Sequence, residues 1–233
     1  MMDRILLADD DVELAELLVE YLGTEGFIVD TAHDGEVALE KAQTNQYKLI
    51  ILDVMMPKLN GFDVLRQLRL QSQVPVLMLT ARGDDVDSVV GLEIGADDYL
   101  AKPCNPRVLI AHMRAIMRRA DQIHTKDNRL ENLQIDDIEI QRGARVVLRE
   151  GKAVMMTSTE FSVLEILMQQ AGSVVTKEQL SEQALGRKHG AYDRSLDMHI
   201  SNLRKKLGHD SQGAERIKTV RGMGYQYLRS QDA

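Results

Sequence analysis

The chain has 233 residues, one cysteine, no tryptophan and a formal charge of −7 at neutral pH, a length that suits one or two domains, each able to bury a core. The lone Cys104 excludes an internal disulfide, and no apolar run of about 18 residues or basic-then-apolar leader is present, so we expect a soluble, unexported, cytoplasmic protein with no membrane partner. The charge is uneven: residues 1–122 hold 12 Lys/Arg against 21 Asp/Glu, residues 123–233 hold 17 against 15, and the segment 177–221 holds 10 against 6, which suggests a separate partner for each half.

In chain order, the first half alternates strand-like and helix-like runs. Strands are predicted at 4–8, 26–31, 48–53, 75–80 and 97–101, and helices at roughly 12–23, 35–45, 61–70, 84–94 and 105–119. The helix over 12–23 places Leu14, Leu17, Leu18, Tyr21 and Leu22 on one core-facing stripe. Asp34-Gly35 and Asn60-Gly61 mark turns that open helices. Five β/α units predict an α/β fold with a doubly wound, five-stranded parallel sheet rather than a barrel. Residues 121–132 are polar, lack an apolar period and read as a linker.

Beyond the linker, 133–135, 138–140 and 146–148 alternate apolar and polar residues and predict an antiparallel meander. Three helices follow. The first starts at the capping box Thr157-x-x-Glu160, with Phe161, Leu164, Ile166 and Leu167 on its apolar side. The second lies near 177–185, with Thr176 as its cap, and the third runs over about 193–207. Residues 217–220 and 225–228 flank Arg221-Gly222-Met223-Gly224 and predict a terminal hairpin. Three helices, the last one basic, followed by a hairpin suggest a winged helix-turn-helix over 133–230.

Asp9-Asp10-Asp11, Asp53, Thr80 and Lys102 each follow a short apolar run. Ligands of open α/β sheets bind beyond the carboxyl ends of the strands, so these groups should converge on one small site. Asp9, Asp10 and Asp53 offer hard oxygen ligands of the kind Mg²⁺ takes together with water and phosphate oxygens. A carboxylate such as Asp53 can act as a nucleophile and become an acyl phosphate. Lys102 and the metal would neutralise charge on the transferring group, and the Thr80 hydroxyl would bond a phosphoryl oxygen. Any one acid could simply cap a helix or face solvent, but five such groups at successive strand ends make a poor coincidence.

In the third C-terminal helix Leu196, Ile200, Leu203 and Leu207 form an apolar stripe, opposite Arg194, Met198, Ser201, Asn202 and Lys205. Such a helix can enter a major groove. Arg194, Asn202 and Lys205 are candidates for base edges, and Arg204 and Lys206, at the flanks, for phosphates. Arg221, on a glycine hairpin tip, can approach a groove closely. An ordinary solvated helix face is the plainer alternative.

Residues 1–120 resemble the receiver domain of bacterial two-component response regulators, through Ile5–Asp11, Leu52–Pro57, Leu79–Arg82, Gly95–Tyr99 and Lys102-Pro103. The segment 133–229 resembles the winged-helix effector domain of the OmpR/PhoB-like family, through Met156–Phe161, Val175–Leu180, Asp193–Leu207 and Lys218–Tyr225. The match lies nearest that family's envelope-stress branch. The resemblance implies a flavodoxin-like receiver with a C-terminal winged helix. Asp53 would be phosphorylated by a cognate sensor histidine kinase. Mg²⁺ would be held by Asp10 and Asp53 directly, by Asp9 through water, and by the backbone carbonyl of Met55. Thr80 and Lys102 would contact the phosphoryl group and Tyr99 would be the switch aromatic. Lys102-Pro103 would be a cis peptide, and Asp11 a cap rather than a ligand.

By the same resemblance the protein would bind double-stranded promoter DNA as a homodimer formed through the fourth helix, fifth strand and fifth helix of the receiver. Glu93 with Arg114 and Asp98 with Arg119 would supply charge pairs at that seam, and RNA polymerase is a further partner the resemblance admits. The chain departs from the family pattern at Cys104, where Phe is usual, at Ser88 and Val108, where a Lys–Glu pair is usual, and at His112, where Arg is usual. His112 reads as a helix-surface histidine rather than a pH sensor. Two other functions fit parts of the pattern. A Mg²⁺-dependent phosphatase-like hydrolase would share the carboxylates but leave the basic helix unexplained. A DNA-binding dimer independent of phosphorylation would leave the Asp/Thr/Lys set unexplained. The protein is not expected to be a dedicated enzyme, beyond accepting a phosphoryl group and removing it from itself.

Overall fold

The computed structural model describes residues 2–44, 46–81, 85–121, 132–190, 193–210 and 212–229. The expected linker thus lies almost wholly outside the described residues, as does Arg82. Contacts divide the chain into two compact units, Met1–Met117 and Arg118–Ala233.

The first unit runs β1 (Arg4–Ala8), α1 (Val12–Thr24), β2 (Ile28–Ala32), α2 (Gly35–Ala42), β3 (Leu49–Asp53), α3 (Gly61–Arg69), β4 (Val76–Ala81), α4 (Asp85–Ile94), β5 (Asp98–Lys102) and α5 (Pro106–Asp121), the last continuing past the division. All strand pairs are parallel, in the order β2-β1-β3-β4-β5. This is the flavodoxin-like order, and it reverses between β1 and β3. Side chains alternate across the strands. Ile5, Leu7, Leu49, Ile51, Leu77 and Leu79 pack with Leu18 and Leu22 of α1 and Leu109, Met113 and Ile116 of α5. Leu6, Ile50, Leu52 and Met78 are buried on the other face. Helices on both faces explain why these strands read as unbroken apolar runs. Asp11, Asp34 and Asn60 cap α1, α2 and α3, accepting from the backbone N–H of Leu14, Val37 and Asp63. One expectation fails in α1: Leu17 is exposed, because the buried stripe follows Ala15, Leu18 and Leu22, and Leu17 stands about 100° around the helix from Leu18.

The second unit opens with an antiparallel sheet, β6 (Leu133–Ile135), β7 (Ile138–Gln141), β8 (Val146–Arg149) and β9 (Lys152–Val154). Strand β9 was not expected, since three residues show no period. Helix α6 (Ser158–Gln169) starts at a complete capping box of Thr157 and Glu160. After β10 (Val174–Thr176), α7 (Lys177–Leu180) is capped by Thr176 and Gln179 and continues as a π-helical turn, Ser181–Leu185. Helix α8 (Ser195–Leu207) and the strands β11 (Ile217–Val220) and β12 (Gly224–Tyr227) complete the unit. The final sheet has the order β10-β12-β11. A Cβ on Gly224 would lie 2.0 Å from the Val175 carbonyl oxygen, so only glycine lets β12 approach β10. Leu196, Ile200, Leu203 and Leu207 of α8 share a core with Phe161, Leu164 and Leu167 of α6 and with Ile217, Tyr225 and Tyr227. Helices α7 and α8 with the β11–β12 wing form a winged helix-turn-helix.

Candidate functional site

The carboxyl ends of β1, β3, β4 and β5 bring Asp9, Asp53, Thr80 and Lys102 to one edge of the parallel sheet. The Lys102 ammonium bridges two acids, lying 2.7 Å from Asp53 Oδ2 and 2.7 Å from Asp9 Oδ2. Asp9, Asp53 and Thr80 are buried, whereas Asp10 is exposed. One carboxylate oxygen from each of Asp9, Asp10 and Asp53 lies within 4.8 Å of the others. These are hard oxygen donors close enough to share one divalent cation, and the set therefore fits a metal. Asp9 Oδ1 accepts from the Asp11 N–H at 3.0 Å, and its Oδ2 faces the Lys102 ammonium. Thr80 pairs with Ala101 and Met78 with Tyr99, so Thr80 and the half-buried Tyr99 are diagonal neighbours on one sheet face. The Lys102–Pro103 peptide is cis.

Burial pushes the Asp53 carboxyl above its ordinary value, against the opposing pull of the Lys102 ammonium. Burial alone would lower Lys102, but hydrogen bonds to Asp53 and Asp9 outweigh it and hold the ammonium above its usual value. The loop after β3 is drawn in tightly: the Gly61 N–H donates to the Val54 carbonyl at 2.9 Å, and a Cβ on Gly61 would meet the Asp53 carbonyl oxygen at 2.1 Å. The Asp53 carboxylate thus stands at the end of a rigid strand with a fixed cation beside it.

In the second unit, α8 turns Leu196, Ile200, Leu203 and Leu207 inward. Arg194 and Lys205 are exposed, Met198 and Ser201 are half-buried, and Arg221 is exposed at the wing tip.

The two halves match two family models. Residues 5–114 match the response regulator receiver domain, and residues 151–227 match the transcriptional regulatory protein C-terminal domain. The transcriptional regulatory protein CpxR of Escherichia coli is 48% identical over 227 residues, covering 96% of this chain and 97% of that protein. The chain belongs to the OmpR/PhoB-like two-component response regulators. Among solved structures, a RitR variant superposes with a TM-score of 0.77 at 27% identity, over 98% of this chain and all of that one. DrrB of Thermotoga maritima, described as an OmpR/PhoB homolog, superposes at 0.52 with 30% identity, over 98% of this chain and all of DrrB.

The protein is accordingly a DNA-binding response regulator activated by phosphorylation of an aspartate, and it works with a sensor kinase and DNA. Its receiver acts as a phosphoacceptor rather than as a conventional enzyme. No helix among the described residues is long and apolar enough to cross a membrane.

Several effector and receiver residues sit differently from the sequence expectation. Asn202 is only 4% exposed and lies on the buried flank of α8 rather than on its front, because the inward face is wide enough to include Ser195, His199 and Asn202 beside the leucine stripe. Arg204 donates from Nε and Nη2 to the Ile217 carbonyl and from Nη2 to Thr219 Oγ1, so it ties α8 to the wing. Lys206 Nζ lies 2.5 Å from the buried Glu160 Oε2. Neither flank cation is held out toward a phosphate.

On the receiver, Asp98 is 1% exposed and faces His112 Nδ1 at 2.9 Å, so His112 is not a free surface histidine. Arg119, assigned by contacts to the second unit, is buried and donates to the Leu185 carbonyl at 2.9 Å. Asp98 and Arg119 are therefore not exposed rim charges in this chain. Arg114 is exposed and pairs with Glu25 at 2.7 Å, and Glu93 is exposed. Cys104 packs half-buried against the apolar core, and burial pushes its thiol up. Asp197, which joins Lys177 and Tyr225, was overlooked, although its spacing of three from Arg194 and four from Ser201 places it on the same face.

Proposed function

We propose that Asp53 receives the phosphoryl group and that Mg²⁺ is the ion held by Asp10 and Asp53, with Asp9 acting through water and the Met55 carbonyl as a further ligand. An Asp53 oxygen forms the new P–O bond as the P–N bond to the kinase histidine breaks, giving an acyl phosphate. The metal, when bound, supplies positive charge against the phosphoryl oxygens. Lys102 is the second cation, positioned to exchange its bond to Asp53 for one to the phosphoryl group. Thr80 donates its hydroxyl to a phosphoryl oxygen, and Tyr99, its diagonal neighbour, follows that movement. The observation that carries this reading is the Lys102 ammonium 2.7 Å from both Asp53 and Asp9, with Asp10 in reach of the same point.

Phosphorylation shifts the receiver toward a conformation that pairs with a second chain through α4, β5 and α5, with Glu93 and Arg114 at the exposed rim. The paired effector domains then read promoter DNA with Arg194 and Lys205 of α8 and Arg221 of the wing. The domain limits 1–120 and 133–230 and a cytoplasmic location belong to the same reading, as does contact with RNA polymerase.

The test is intact-mass spectrometry of the full chain with Mg²⁺ and acetyl phosphate. One added phosphoryl group is expected on the parent protein and none on D53A, with reduced labelling of D10A through weakened metal affinity. Equal labelling of D53A would sink the assignment.

A further inference from the structure

The reading face of α8 carries one acid that its basic residues do not account for. Asp197 stands three residues after Arg194 and four before Ser201, at the middle of the exposed surface on a helix of 3.6 residues per turn. Its side chain is 40% exposed, yet its position is fixed. Lys177, at the start of α7, reaches Asp197 Oδ1 at 2.6 Å. The Tyr225 hydroxyl of β12 donates to the same oxygen. Lys177 Nζ also lies 5.8 Å from the centroid of the Tyr225 ring, and the Lys177 backbone N–H donates to the Met223 carbonyl at 3.2 Å. One carboxylate oxygen therefore joins the first helix of the helix-turn-helix, the reading helix and the wing. The other oxygen, Oδ2, accepts from no protein group among the described residues.

An acid in the first turn of a helix favours the helix dipole, but that role needs neither a fixed rotamer nor two partners from other elements. A carboxylate serving only to hold elements together would be expected to use both oxygens and to be buried. Here one oxygen is anchored and the other is left open on a surface that approaches DNA. A negative charge there opposes phosphates whatever the sequence, so its contribution lies in discrimination rather than in general affinity. The N-terminal residues of a recognition helix reach base edges in the major groove, and an aspartate accepts there from the N4 amine of cytosine.

We propose that Asp197 determines one base of the operator, accepting through Oδ2 from the exocyclic amine of a cytosine, with Tyr225 and Lys177 as positioning residues that hold its rotamer. This rests on the chain's place among DNA-binding response regulators and not on the assignment of Asp53.

The experiment selects bound sites from a random duplex library with the phosphorylated full chain, in parallel for the parent protein, D197A, D197N and Y225F. One position should be cytosine in the parent motif, open to any base for D197A, and partly relaxed for Y225F. D197N, nearly isosteric and therefore safe for folding, should move that position toward adenine, the base whose amine and N7 suit an amide. Pyrimidin-2-one, which lacks the amine, should weaken parent binding about tenfold when placed there and leave D197A unchanged. Identical motifs for the parent and D197N overturn the proposal. So does a uniform loss of affinity for all duplexes by D197A, the result of a purely structural role.

Discussion

Asp53 meets two opposing demands: burial disfavours its charge, while Lys102 favours it, and burial prevails. An acid whose folded pKa stands above its unfolded value adds stability below the unfolded value, and that contribution is lost as pH rises through the folded value. At neutral pH without metal, the ionised Asp53 is therefore a cost to the fold. D53N is expected to unfold at a higher temperature than the parent chain at pH 7 in chelator, with the difference shrinking as pH falls through the raised Asp53 value. Thermal unfolding by circular dichroism across pH checks this, and an equal or lower midpoint for D53N at pH 7 would contradict it. The sequence already showed that Asp53 ends an apolar strand. It also placed Lys102, 49 residues away, at the same site; the structure adds that one ammonium bridges Asp53 and Asp9 at 2.7 Å each.

Among the elements, α8 best shows what periodicity delivers. The stripe Leu196, Ile200, Leu203 and Leu207 is buried as expected. Its flanks are a matter of contact with other elements: α6 takes Lys206 through Glu160, and β11 takes Arg204 through the Ile217 carbonyl and Thr219. In the proposed reading, Arg204 would act on DNA through the wing it holds, whose tip carries Arg221. Replacing either residue by alanine should weaken DNA binding, and the double variant R204A/R221A should be weaker than either by less than the sum. A coupling of about 1 kcal/mol is expected, measured by titrating one duplex at fixed salt with all four proteins. Strict additivity would show that Arg204 contacts DNA independently of the wing. The helix expected over 177–185 is regular only to Leu180 and then widens into a π turn. The Ser181 hydroxyl donates to the Arg187 carbonyl at 2.8 Å, a local bond that residue spacing does not reveal.

At the scale of the whole molecule, charge separates by function. The acidic half holds the proposed phosphoacceptor site, and the locally basic segment 177–221 holds the helix and wing proposed to read DNA. In the proposed reading, a net charge of −7 opposes DNA binding by one copy, and joining two effector domains through their receivers would raise affinity without any new DNA contact. Light scattering is expected to show about a doubling of mass when the parent chain is phosphorylated and no change for D53A, at concentrations near those that bind DNA. A phosphorylated protein that binds its sites tightly while remaining a monomer would remove the dimer from the mechanism. Surface ion pairs contribute little individually, so the proposed pairing through α4, β5 and α5 does not depend on Asp98 and Arg119.

The sequence by itself determined both folds, the strand ends that carry Asp9, Asp10, Asp53, Thr80 and Lys102, the caps at Asp11, Thr157 and Thr176, the turns at Asp34 and Asn60, and the leucine stripe of α8. Each of these is a local signal: an apolar run, a period of two or 3.6 residues, or an oxygen just before a helix. Tertiary structure alone decided that Asn202 is buried, that Asp98 belongs to His112, that Arg204 and Lys206 are tied down inside the domain, and that Lys177 and Tyr225 hold Asp197 by one oxygen. Periodicity places a side chain on a helix face only to within about one residue, or 100° of rotation. Which partner a charged group at the edge of that face finds depends on elements far away in the chain.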